Sequence, residues 1–196
     1  GDPDSPKAVL RLALGLEGVD EALLRRFCLA WLPRYPEGVA SVERRLGKLS
    51  PAERTCVKAR AGELQRDFDA SDRHWPDCAE ALAAEKKLLA AALVFRHLAY
   101  GHDRAMGGDP WDPTTRDYLE RGLALDPDDR LSYLKLVDMA RGRQDLKAQQ
   151  EWAQRAVERF PEDVQIRLMA GNVAYRRQAF RQAVEHARAA LARDSL

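Results

Sequence analysis

The chain has 196 residues, 45% of them hydrophobic, which is enough for one large domain or two small ones with a substantial core. Its 32 basic and 31 acidic residues leave a formal net charge of +1, a balance that gives no reason to expect nucleic acid or an anionic membrane surface as the main partner. Arginine far outnumbers lysine, a bias that more often reflects codon composition than a bidentate anion-binding role.

From the N-terminus, "GDPDSPK" lacks the charged and apolar regions of a signal peptide, and no apolar run approaches the ~18 residues of a membrane span, "LLAAALVF" being too short. The abrupt start and the ending "ALARDSL" suggest a piece of a longer protein, from which a signal or further domains could have been removed. No stretch alternates β-branched and polar residues long enough for a strand, whereas helical spacing recurs almost everywhere. About ten helices are expected, near 6–15, 20–33, 38–47, 51–68, 76–100, 113–125, 129–141, 145–159, 163–177 and 180–193. Ser5-Pro6, Ser50-Pro51 and Asp112-Pro113 each place a capping side chain before a proline at the first helical position, and Asp20 precedes "EALLRRFCLAWL" in the same way. The stops are "RYPEG", "GKLSP", "ALDPDD" and "RFPED". Cys28, Cys56 and Cys78 are odd in number, widely spaced and form no CxxC pair, so they read as unpaired thiols in a reducing, cytoplasmic setting.

The last third of the chain repeats itself. Without a gap, Leu146 falls on Phe180, Ala153 on Ala187, Ala156 on Ala190, Val157 on Leu191 and Pro161 on Ser195, an offset of 34 residues throughout. One further step back places Leu119 on Ala153, Gly122 on Ala156, Leu123 on Val157 and Pro127 on Pro161. In the preceding helices, Tyr133, Leu136 and Ala140 align with Arg167, Ala170 and Ala174. Period and pattern resemble the tetratricopeptide repeat. In the last copy Ala170-Gly171 stands at the family's Leu-Gly step, Tyr175 in its aromatic region, and Phe180, Ala183 and Ala190 at signature places. The middle copy keeps Tyr133 at the family's Trp position, with Ala156 and Pro161, but has Val137 for the small Gly and Gln149 for a usual Ala. Small residues at the helix crossings (Gly171, Ala174, Ala183, Ala190) allow close approach, and Trp152, Phe160 and Phe180 fill the gaps between pairs.

The resemblance implies an all-α, right-handed α-α superhelix with repeats over 76–196. Residues 1–70 form divergent repeats or a helical cap, most simply as part of one continuous solenoid. The stretch "YGHDRAMGGDPWDP" then becomes an insertion at 101–112 into a repeat turn, with Gly101 ending one helix, Asp112-Pro113 starting the next, and Trp111 tucked against the pair.

No GxSxG, P-loop, HExxH, dinucleotide turn or paired CxxC is present, so no enzyme class, metal or cofactor is indicated. His74 and Cys78 share a helical face without further ligands, His97 and His102 are too far apart for a helical chelate, and His186 defaults to a solvated or packing role. Asp103, Asp109 and Asp112, with His102, lack the alternating order of an EF-hand loop. In tetratricopeptide arrays the first helix of each pair lines a groove. Position by position, the resemblance assigns this groove to Leu131, Leu134, Asp138 and Arg141 in the middle copy and to Gln165, Leu168, Asn172, Tyr175 and Arg176 in the last. These residues could hold an extended peptide, with Asn172 binding its backbone and Arg141 and Arg176 pairing with acidic side chains, unless Leu134 and Leu168 pack on the following helix instead. The chaperone-tail subclass does not fit, because Leu168, Gln165 and Met169 stand where it needs basic residues. The expected function is a non-catalytic interaction or scaffold module with a protein or peptide partner. A metal-binding or enzymatic domain built on the 101–113 loop, and a self-association module with an exposed apolar end, remain the alternatives.

Overall fold

The computed structural model describes residues 50–65 and 68–193. Within them every regular element is a helix: α1 (Pro51–Gln65), α2 (Phe68–Ala84), α3 (Leu88–Ala105), α4 (Pro113–Leu125), α5 (Arg130–Gly142), α6 (Leu146–Arg159), α7 (Val164–Arg176) and α8 (Phe180–Leu191). The helices expected near 6–15, 20–33 and 38–47, and Cys28, lie outside the described residues. Among the described residues no helix is long and apolar enough to cross a membrane. The described residues fall into two compact units that divide inside α3, between Val94 and Phe95.

In the first unit Ser50 caps α1 as expected. Its Oγ accepts from the Glu53 N–H at 3.2 Å while the Glu53 carboxylate accepts from the Ser50 N–H at 2.8 Å, so two otherwise orphaned donors are satisfied reciprocally. Glu85, just past α2, accepts from the Ala52 N–H and the Ser50 hydroxyl and so ties the start of α1 to the end of α2. Cys56, Val57, Ala59, Trp75, Cys78, Ala79 and Leu82 are buried in this unit.

The single helix expected over 76–100 is two helices. The chain breaks at residues 85–87, where Lys86 adopts φ 61° and the Lys87 N–H reaches back to the Leu82 carbonyl. A left-handed residue at this point is usually Gly or Asn. With a lysine there the break carries no sequence signature, and the apolar run beyond it prolongs the apparent helix. Pro76 lies inside α2, not at a helix start.

In the second unit the 34-residue offset reappears in the turns. After α5 the Gln144 N–H bonds to the Arg141 carbonyl and the Asp145 N–H to the Ala140 carbonyl; after α7 Gln178 bonds to Tyr175 and Ala179 to Ala174, and both glutamines are left-handed, at φ 56° and 62°. The opposite turns recur too, with Asp126 N–H to Gly122 and Phe160 N–H to Ala156. Leu119, Leu123, Tyr133, Leu136, Trp152, Ala153, Ala156, Ile166, Ala170 and Val173 form one core. Each fully buried Leu or Ile in it stabilises the unit by about 2 kcal/mol. Tyr133 meets Trp152 and Phe160 edge-on, with ring centres 6.3 and 6.0 Å away. At the α7–α8 crossing a Cβ on Gly171 would sit 3.4 Å from His186 Cβ, an ordinary van der Waals contact, so alanine would fit there as well as glycine. Phe180, expected to fill a gap between pairs, is instead 56% exposed with its ring edge-on to Tyr175, because no later helix covers α8 among the described residues.

The cysteine expectation is overturned. Cys56 on α1 and Cys78 on α2 are joined by a disulfide across 22 residues, and both are fully buried. Two cysteines in separate segments become neighbours only once α1 and α2 pair, and no spacing rule reveals that. A crosslink closing a loop of this length stabilises by about 3 kcal/mol. Alkylation of denatured, unreduced protein is expected to leave Cys56 and Cys78 unmodified, and reduction should lower the urea midpoint of the first unit. Alkylation of both residues without reductant would show that the bond does not form in solution.

Candidate functional site

Helix α6 packs against both α5 and α7, and an open groove runs between those two helices with α6 beneath it. Leu134, Val137, Asp138 and Arg141 form one wall; Gln165, Leu168, Met169, Asn172 and Val173 form the other; Gln149 of α6 lies at the floor. On each wall the residues recur at three- and four-residue steps and therefore share a helical face. Of the nine residues assigned to the groove from sequence, Leu134, Asp138, Arg141, Gln165, Leu168 and Asn172 come together here. Leu134 is partly buried against the core, whereas Leu168 is 54% exposed, so only the first is spent substantially on packing. Tyr175 lies outside the groove, whereas Arg176 reaches its floor. Tyr175 stands exposed against Phe180, and Arg176 donates from Nη1 to Gln149 Oε1 at 3.0 Å. Leu131 is exposed outside it, its carbonyl accepting weakly from the Tyr100 hydroxyl.

Charges fix the two ends of the groove. At the start of the helices Arg130 of α5 spans to α7, where it binds the Asp163 carboxylate and the Gln165 amide oxygen. Asp163 also caps α7, its Oδ1 accepting from the Ile166 N–H at 2.9 Å. Burial alone would raise its carboxyl, but Arg130 and the cap bonds outweigh that and hold it below the usual value. The ion pair recurs one repeat earlier, where Arg96 of α3 meets Asp129 at 2.8 Å at the start of α5, although the Asp129 side chain makes no capping bond to that helix. At the other end Arg141 pairs with Asp138 along its own helix. Gln149 is nearly solvent-free, at 1% exposure, and its Nε2 donates to the Ala140 carbonyl at 3.2 Å. Arg130 and Gln149 were not assigned to the site from sequence. For Gln149 a signal existed, since a long amide stood at a position where small residues are usual.

The 101–112 segment differs from its expectation. Helix α3 continues through Gly101 to Ala105, so the irregular loop spans only residues 106–112. Gly107 and Gly108, at φ 67° and 77°, turn the chain, and the Gly108 N–H closes onto the Asp103 carbonyl at 2.7 Å. Pro110 rests on Gly142, where an added Cβ would fall 2.6 Å from the proline Cβ, and its carbonyl accepts from Arg143 at 3.0 Å. With Pro110 seated this way, Trp111 is 68% exposed and not tucked against the helices. The aspartates have separate tasks. Asp103 binds Lys135 at 2.7 Å, Asp109 accepts from the Trp111 N–H, and Asp112 caps α4 through the Thr114 and Thr115 N–H groups while His102 Nδ1 lies 2.7 Å from its Oδ2. Among the described residues no group of three or more His, Cys, Asp or Glu side chains is arranged to hold a metal ion. Cys78, paired above with His74 on a helical face, is engaged in the disulfide. Burial pushes the His186 imidazole below its usual value, with Arg167 adding to the effect.

No protein-family model matches this sequence, and comparison with curated proteins returns no significant match.

Burial would raise the Asp112 carboxyl, yet hydrogen bonds from the Thr115 hydroxyl, the Thr115 and Thr114 N–H groups and His102 prevail and hold it at about 2, against 3.8 for an unperturbed aspartate. Its stabilisation is therefore fully present above pH 3.8 and lost as the pH falls through about 2. Asp112→Ala is expected to cost about 1–2 kcal/mol at neutral pH, as for a lost helix cap, and to flatten the acid limb of the stability profile. An unchanged acid limb in urea titrations at several pH values would assign the acid sensitivity to other carboxylates.

Proposed function

We propose that the chain is a tetratricopeptide-like helical array that serves as a non-catalytic protein-interaction module, taking an extended peptide or partner segment in the α5–α7 groove. The observation that carries this reading is the composition of the groove. Apolar side chains, Leu168 above all, stand accessible beside the amides of Gln165 and Asn172 and the guanidinium of Arg141. A patch of this kind buries aliphatic side chains of a ligand while its amides meet the ligand's backbone groups, as extended-peptide recognition requires. The recurrence of the turn hydrogen bonds at a 34-residue interval adds support. A buried disulfide fits an oxidising compartment better than the reducing cytoplasm expected from cysteine spacing.

A second reading rests on α8, whose Phe180, Val184 and Leu191 are 56%, 48% and 72% exposed. Uncovered apolar residues at the end of an array favour stacking on a further helix, and a second copy of the chain could supply one.

Affinity capture from extracts of the source cells separates the two. Leu168→Glu combined with Asn172→Ala is expected to abolish capture of partners bound by the natural chain while leaving helix content and melting temperature unchanged. Retention of every partner would contradict the groove. Phe180→Glu with Leu191→Glu should instead dissolve any concentration-dependent rise in mass seen by sedimentation, and a chain that stays monomeric at high concentration would remove the second reading.

A further inference from the structure

We infer that the groove selects an extended segment bearing a carboxylate, and that Gln149 is the positioning residue that creates this selectivity by holding Arg176. The inference rests on the groove being a peptide site. Its argument begins with the charges around the groove, which are otherwise matched. Asp138 is paired with Arg141, and Asp163 with Arg130. Arg176 differs. Among the described residues it forms no ion pair, and its hydrogen bond goes to a neutral amide, the Gln149 Oε1 at 3.0 Å.

That amide cannot turn away. Gln149 is 1% exposed and its other end is fixed by donation to the Ala140 carbonyl at 3.2 Å. A buried glutamine with donor and acceptor both engaged is a rigid fixture, since releasing either bond leaves a buried polar group unsatisfied. It orients the guanidinium at the α6–α7 junction and leaves its charge in place. Arg176 stands one helical turn after Asn172, on the same face of α7, so a carboxylate lying over Asn172 is within reach of both. A guanidinium has five N–H donors, and one bond to Gln149 leaves enough for a bidentate carboxylate. Towards the other end Leu134 and Leu168 offer apolar contact from opposite walls. The fitting ligand is therefore an extended segment with an aliphatic side chain between Leu134 and Leu168 and an acidic one beside Asn172. Positions equivalent to Gln149 in the neighbouring repeats hold Thr115 and Ala183, neither of which reaches so far, so the selectivity belongs to this one groove.

The test is a phage-displayed library of random dodecapeptides panned on the full chain, on Arg176→Gln and on Gln149→Met, after circular dichroism shows that all three are folded. The natural chain is expected to enrich peptides with an aliphatic residue and an excess of Asp or Glu. A synthetic peptide from that set should bind roughly tenfold more tightly than its Glu→Gln analogue, the gain of a charge-assisted hydrogen bond. In both variants that discrimination should fall to near one while the aliphatic preference persists. General loosening of the fold would weaken both peptides equally and leave their ratio unchanged. Enrichment without an acidic excess, or discrimination that survives Arg176→Gln, overturns this inference and leaves the groove reading standing. Discrimination lost in Arg176→Gln but kept in Gln149→Met overturns the role of Gln149. Failure of the natural chain to enrich any peptide overturns the groove reading, and this inference with it.

Discussion

Arg130 reaching from the first turn of α5 to the aspartate that caps α7 is the interaction on which the groove depends. One carboxylate performs two tasks. It satisfies the start of a helix, and it anchors that start to the helix one pair earlier; Asp129 repeats the second task alone, through Arg96. Both bonds favour its ionised form, and partial burial makes the pair less open to screening than a surface ion pair. Repetition of the device fixes successive first helices at a constant stagger while the intervening second helix supplies the packing.

A groove follows from this arrangement. α5 and α7 each pack on α6, so side chains facing outward between them are left without a covering element. Nature of the lining then decides what can lie there. Near the Arg130 end the polar groups are already occupied with one another, while at the other end the Arg176 cation is held by the neutral amide of Gln149. The polarity of the groove thus arises from which charges the fold itself consumes.

Much of this was legible in the sequence, for identifiable reasons. Caps such as Ser50 and Asp112 are local chemistry, visible as a hydroxyl or carboxylate before a proline, and the 34-residue offset is visible because the turns between helices recur at that interval. Six of the assigned wall residues share the groove because they occupy one face of two helices whose period the sequence displays. The failures have one character. Lys86 breaks a helix without glycine, Cys56 meets Cys78 through helix pairing, Pro110 and not Trp111 seats on the helices, at Gly142, and Gln149 reaches Arg176 across 27 residues. Each depends on a contact between segments distant in the chain, or on a backbone conformation adopted by a residue that does not advertise it.

The central claim, that α7 is set against α5 through Arg130 and Asp163, is tested most directly by a double-mutant cycle with Arg130→Ala and Asp163→Asn. Asparagine still accepts the helix-capping bond, so the cycle isolates the ionic link. A coupling of about 1 kcal/mol in urea unfolding is expected for a partly buried charged pair. Strictly additive effects of the two substitutions would contradict the account.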